Sequence, residues 1–155
     1  RLLLNAYAGR PNERLLVVRP PLIYGPGDPA ETYGPVGFAK RATQGEGIVV
    51  WGDGAELREF LYVRDAVELT ARLITSDACG VLNLVSGESR SFRDILEIME
   101  GAGESVSISS QDRTKDRVDH VFDPSLLRSH TEGFEFTPLR RGIESTVDSI
   151  RASQV

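Results

Sequence analysis

Two arginines stand out among the residues that could do chemistry. Arg58 follows the glycine turn Gly52-Asp53-Gly54 and enters a short extended run ending at Val63. Arg113 lies in the charged stretch 111–119 (QDRTKDRVD), three residues before Asp116. A guanidinium presents a planar fork of N–H donors that grips carboxylate or phosphate oxygens in pairs. The chain carries a formal net charge of −5, so no basic surface is available to neutralise a nucleic-acid backbone. A fixed anion must instead be met by a few well-placed arginines. On spacing alone both positions also read as solvated charge, Arg58 beside Glu56 and Glu59 at a cleft rim, Arg113 within a mixed-charge segment. Trp51, at the end of an apolar run, reads equally as a core residue or as a wall for a flat ring.

Other chemistries are narrowed by what the residues offer. A single cysteine, Cys79, excludes an internal disulfide and a cysteine-cluster zinc site. His120 and His130 are too isolated to make a metal motif. No tyrosine is followed four residues later by lysine, and no Gly-x-x-Gly-x-x-Gly follows an apolar strand, so no catalytic residue is assigned in this chain. No apolar run approaches the ~20 residues of a membrane span, and no leader pattern is visible, which makes a cytoplasmic setting the default expectation.

The elements that must position these residues alternate between strand and helix, the pattern of an α/β fold. The 155 residues are 40% apolar and 26% charged, ordinary values for one folded domain rather than a disordered chain. Residues 1–8 read as the last turns of a helix closed by Gly9, and with no capping residue before them they suggest a chain entered in mid-helix. Leu15 to Arg19 is a short apolar run stopped by Pro20 and Pro21, as in a strand buried on both faces. Residues 24–35 form a loop, and Pro35 opens a helix to about Gln44, with Val36, Phe38 and Ala39 inward. Short strands are expected at Ile48–Trp51 and Phe60–Val63.

Asp65 is expected to cap a helix, with Glu68 closing a capping box. A second buried strand spans Val81–Val85. Ser91 and Asp94 form another capping box, ahead of Phe92, Ile95, Leu96 and Met99 at helical spacing, and Gly101 stops that helix. Val106 to Ser109 is a candidate strand. Asp123-Pro124 and Thr137-Pro138 each supply a cap and a first-turn proline. The final helix has Leu139, Ile143, Val147 and Ile150 in one stripe. Only the strands at 15–19 and 81–85 look fit for a central sheet, and two parallel strands need further partners.

Four segments, in order, resemble the second half of the extended short-chain dehydrogenase/reductases, in the NAD-dependent epimerase/dehydratase branch that acts on sugar nucleotides. They are RPPLIYGP from Arg19, then GDG from Gly52 with REFLYVRD from Arg58, then VLNL from Val81 through Ser91-Phe92. The last is RTKD from Arg113, with FDPS from Phe122 and FTPL from Phe136. The resemblance implies the last strands of a Rossmann-type parallel sheet plus a small mixed α/β substrate-binding domain. Residues 1–155 would then be one C-terminal, substrate-binding part, the N-terminal dinucleotide-binding part lying outside this sequence.

It further implies that Arg58 and Arg113 clamp a nucleotide diphosphate, with Arg117 the competing choice for the second arginine, and that Asp116 lies near the nucleotide. Val49, Val50 and Trp51 would flank the base, and Pro20 would lie near the nicotinamide of NAD or NADP, a cofactor held mainly by the other half. Leu22 stands where relatives often have an asparagine that binds the phosphates. That departure leaves open a second reading, a non-catalytic member of the superfamily that senses a dinucleotide or a partner. Relatives commonly dimerise through helices flanking their catalytic pair, so a homodimer of the full-length protein is compatible with the resemblance.

Overall fold

The computed structural model describes residues 15–29 and 34–154. The helix expected at residues 1–8 lies outside that range. Among the described residues, seven strands and five helices follow in the order β1 (Leu16–Arg19), β2 (Leu22–Tyr24), α1 (Gly34–Thr43), β3 (Ile48–Trp51), β4 (Leu57–Tyr62), α2 (Val63–Ile74), β5 (Gly80–Asn83), β6 (Ser89–Ser91), α3 (Phe92–Gly101), β7 (Ile108–Gln111), α4 (Ser125–His130) and α5 (Leu139–Ser153).

The strands form three small sheets. β1 and β5 are the apolar pair expected from sequence, four residues each and parallel, with Leu16 opposite Gly80 and Arg19 opposite Asn83. β4 is central to the second sheet, parallel to β2 and antiparallel to β6. The third joins β3 and β7 in parallel, pairing Trp51 with Gln111. Side chains of a strand alternate between faces, so β4 serves two cores at once. Tyr62 belongs to one cluster with Tyr24, Phe38, Ile48, Val50, Phe92, Met99 and Ile143, onto which Phe60 packs. Leu61 points into the other, with Leu69, Leu73, Leu82, Leu84 and Leu127.

Close approach sets two details. α5 reaches β2 at Gly142, where an added Cβ would stand 2.1 Å from the hydroxyl oxygen of the buried Tyr24. Burial raises the Tyr24 phenol well above its ordinary pKa. At the start of α3 the expected capping box is present: the Asp94 amide donates to Ser91 Oγ at 3.0 Å, and the Ser91 amide donates to Asp94 Oδ2 at 2.9 Å.

Several sequence expectations need correction. Asp65 does not cap α2, which starts at Val63 after an uncapped Tyr62. Its buried carboxylate instead accepts from the Thr137 amide at 2.8 Å and the Thr137 hydroxyl at 2.7 Å. Thr137 is therefore no cap of α5 either, and the pair ties α2 to the entry of α5. Glu68 pairs with Arg72 one turn on rather than closing a box. A long-range hydrogen bond has outbid two local motifs.

The strand at 15–19 is half-buried rather than enclosed on both faces, with Leu16 and Val18 packed against the Leu82 cluster. β2 and β6 were not expected; each has three residues, too short for a period to show. β7 starts two residues later than the candidate strand and is exposed throughout. At α4 the cap position falls on Pro124 rather than Asp123, and no side chain caps the helix; Asp123 Oδ1 accepts from the Ser125 amide at 2.9 Å in the turn just before it.

Candidate functional site

The site is assembled at one end of the β3–β7 pair. The Gly52 amide donates to the Gln111 carbonyl at 2.7 Å, which carries the chain leaving β7 alongside the glycine turn. Arg113, two residues later, lies directly on Gly52: a Cβ there would meet Arg113 Nε at 2.7 Å and Cδ at 3.3 Å. Gly52 also holds φ at +59°, so two constraints select glycine at this position. The turn is braced by Asp53, whose Oδ1 accepts from the Ala55 amide at 3.0 Å, and that hydrogen bond holds the carboxyl below its ordinary pKa.

Arg58 reaches the same place from β4. The segment after Arg113 runs back beside the start of that strand, where the Leu57 amide donates to Asp119 Oδ1 at 2.9 Å and the His120 amide to the Leu57 carbonyl at 3.0 Å. This brings the Val118 carbonyl within reach of the Arg58 guanidinium, which also donates to the Leu57 carbonyl at 2.8 Å.

Both guanidiniums converge on one carboxylate. Arg58 Nη2 donates to Glu56 Oε1, and Arg113 Nη1 donates to Glu56 Oε2 at 2.7 Å. The three side chains are 18%, 21% and 12% exposed for Arg58, Arg113 and Glu56, so they line a cleft rather than project into bulk water. Burial pushes the Glu56 carboxyl up, but hydrogen bonds from Arg113 and Arg58 outweigh it and hold the group below the ordinary range. Arg113 Nη2 is buried without a hydrogen-bond partner. A cleft of about 400 Å³ opens here, lined by Trp51, Arg58, Arg113, Lys115, Asp116 and Val118. Two convergent guanidiniums with donor capacity to spare suit a multivalent oxyanion.

The sequence-derived residues divide accordingly. Arg58, Arg113, Asp116 and Trp51 share the cleft. Trp51 is exposed at its wall, so it is not a core residue. Arg117 is paired with Asp119 at 2.8 and 2.9 Å and does not line this cleft, whereas Arg113 does. On β3, Val49 is exposed, whereas the Val50 side chain is buried in the core and can offer a ligand only its backbone. Leu22 is exposed on β2, and Pro20 is exposed just past the carboxyl end of β1; neither lines the cleft.

Glu56 was missed as part of the site. Its signal, a carboxylate two residues before an arginine, is indistinguishable in sequence from a solvated ion pair. A larger cavity of about 650 Å³ lies between Phe60, Arg90, Arg128 and residues 131–139. Its cations are engaged, Arg90 by Glu88 at 3.2 Å and Arg128 by the Ser86 carbonyl at 3.1 Å, and Glu132 and Glu135 add negative charge. An anionic ligand is disfavoured there. No helix among the described residues is long and apolar enough to cross a membrane.

Comparison with known proteins adds a separate line. Residues 2–84 match the model of the NAD dependent epimerase/dehydratase family. The chain is 29% identical over 138 residues to dTDP-4-dehydro-6-deoxy-D-allose reductase of Streptomyces bikiniensis, an alignment covering 85% of this chain and 42% of that protein. UDP-glucose 4-epimerase of Thermus thermophilus, solved with NAD, is 27% identical with a TM-score of 0.80, covering 98% of this chain and 51% of the other. UDP-glucuronic acid 4-epimerase of Bacillus cereus, solved with UDP-glucuronic acid and NAD, has a TM-score of 0.84 at 20% identity, a likeness of fold. The chain thus spans about half the length of the proteins it matches. Its α/β architecture is that of Rossmann-type epimerases over that half.

Proposed function

Because this chain belongs to the NAD-dependent epimerase/dehydratase family, we propose that it supplies the substrate-gripping part of an enzyme acting on a nucleotide-diphosphate sugar. The observation that carries this reading is the convergence of Arg58 and Arg113, far apart in sequence, on one small cleft. A diphosphate offers about two negative charges and several acceptor oxygens in the partly dry setting where paired guanidinium hydrogen bonds are strongest. Trp51 forms the wall for the nucleobase, the β3 backbone at Val49 its edge, and Asp116 a polar rim.

Pro20 lies exposed at the carboxyl end of β1, the end of a parallel strand pair at which dinucleotides are met. That placement fits a contact with a nicotinamide ring, and NAD(P), when bound, supplies the acceptor and donor of hydride. The residues of this chain bind and orient. By fixing the diphosphate they hold the sugar in one pose, so that binding energy remote from the reacting carbon is spent on orientation.

The test uses the full-length protein with UDP-glucose and dTDP-glucose in a calorimeter. Arg113→Lys keeps the charge and loses the fork, and should weaken binding by about tenfold or more, since a charge-assisted hydrogen bond is worth about 1.5–3 kcal/mol. Arg117→Lys, already turned to Asp119, should change nothing. Equal losses in both variants would refute the assignment. Exposed Leu22, with no polar atom to offer a phosphate, favours the second reading of a sensor without turnover, for which neither sugar nucleotide would bind tightly.

A further inference from the structure

Glu56 is the group at the cleft that the diphosphate reading leaves without a role. An acidic side chain is an odd neighbour for an anion, yet this one occupies the point on which both guanidiniums converge. It is mostly buried, and a third donor, the Val118 amide at 3.4 Å, also faces it. Without it, Arg58 and Arg113 would face each other as like charges with little solvent to screen them.

We propose that Glu56 is a built-in counter-anion: it pre-assembles the two arginines in the empty cleft and then competes with the incoming diphosphate for them. This rests on the diphosphate reading of the site. As the ligand takes up the guanidinium donors, Glu56 loses hydrogen bonds while gaining negative neighbours. Both changes favour its protonated form. Binding is therefore coupled to uptake of a proton as pH falls toward the carboxylate range, and affinity rises there. The other charged groups nearby are Lys115 and Asp116 on the cleft lining, Asp53 in the glycine turn, and the Arg117–Asp119 pair beside the start of β4. Asp53, Arg117 and Asp119 keep their own hydrogen-bond partners, whereas Glu56 alone bridges the two guanidiniums.

The experiment is calorimetric titration of the full-length protein with UDP-glucose and dTDP-glucose, whose doubly esterified diphosphates do not titrate between about pH 5 and 8. It is run with wild type, Glu56→Gln and Glu56→Ala, in buffers of different ionisation enthalpy. The expected result is several-fold tighter binding by at least one variant near pH 7.5, and toward about pH 5 proton uptake in the wild type that both variants lose. A purely structural Glu56 would give weaker binding in both variants and a proton count unchanged from wild type, and that result overturns the proposal. If wild type and variants all fail to bind either compound, the diphosphate reading falls, and this inference with it. Binding with no effect of Glu56 overturns the inference alone.

Discussion

Replacing Gly52 by alanine tests how backbone geometry builds the cleft. Two costs arise. Alanine at φ +59° carries left-handed strain of about 1 kcal/mol. Its Cβ would also stand 2.7 Å from Arg113 Nε, well inside contact distance, and the neighbouring Cδ at 3.3 Å leaves little slack. The arginine side chain must swing away and give up its 2.7 Å bond to Glu56. A hydrogen bond between charged partners is worth about 1.5–3 kcal/mol, and for an arginine still 21% exposed the lower end applies, about 1.5 kcal/mol.

Gly54→Ala is the matched control. It bears the same kind of strain at φ +72°, yet its Cβ would meet Val50 at an ordinary 3.6 Å. Subtracting one variant from the other isolates the displaced arginine. Gly52→Ala should therefore be less stable than Gly54→Ala by about 1.5 kcal/mol in denaturant unfolding. It should also bind UDP-glucose or dTDP-glucose about tenfold more weakly than the control, by the same free energy. If the two variants unfold and bind alike, Arg113 is not held by Gly52, and the account of the cleft is wrong.

Two further outcomes are expected. Gly142→Ala drives a methyl group to 2.1 Å from the Tyr24 hydroxyl oxygen inside the core, where neither α5 nor β2 can easily retreat. It should cost on the order of 3 kcal/mol in denaturant unfolding, with part recovered in the Gly142→Ala, Tyr24→Phe double variant; no recovery would place the strain elsewhere. Glu59 is buried, and burial raises its carboxyl above the ordinary range despite hydrogen bonds from the Ser86 and Gly87 amides. A folded-state pKa above the unfolded one gives stability that is full below the unfolded value and lost as pH rises through the folded one. Wild type should thus gain stability relative to Glu59→Gln as pH falls from neutral toward the ordinary carboxylate range, and melts of both along that descent would check the sign.

The segments that the sequence marked most clearly are those whose signals are local. Ser91 and Asp94 lie three apart and close their box within one turn, so the motif needs no tertiary help. The apolar runs of β1 and β5 declare strands, and their parallel pairing matches, although both are only partly buried. Asp65 was misread because its position suits a local cap while a stronger partner, Thr137, waits far along the chain. β2 and β6 escaped because three residues carry no period, and they exist as strands only through their register with β4.

By itself the sequence determined the residue types that the cleft draws on: forked cations at 58 and 113, a glycine turn between strands, and the order of motifs that marks the family. Tertiary structure alone decided which of those charges meet. A linear reading favours Arg113 over Arg117 only by its spacing to Asp116 and Asp123; the β3–β7 register lays Arg113 on Gly52, while Arg117 pairs with Asp119. Glu56 became part of the site for the same reason. Charge is a property of a residue, but convergence is a property of the fold, because it depends on which strands hydrogen-bond and where each chain leaves the sheet.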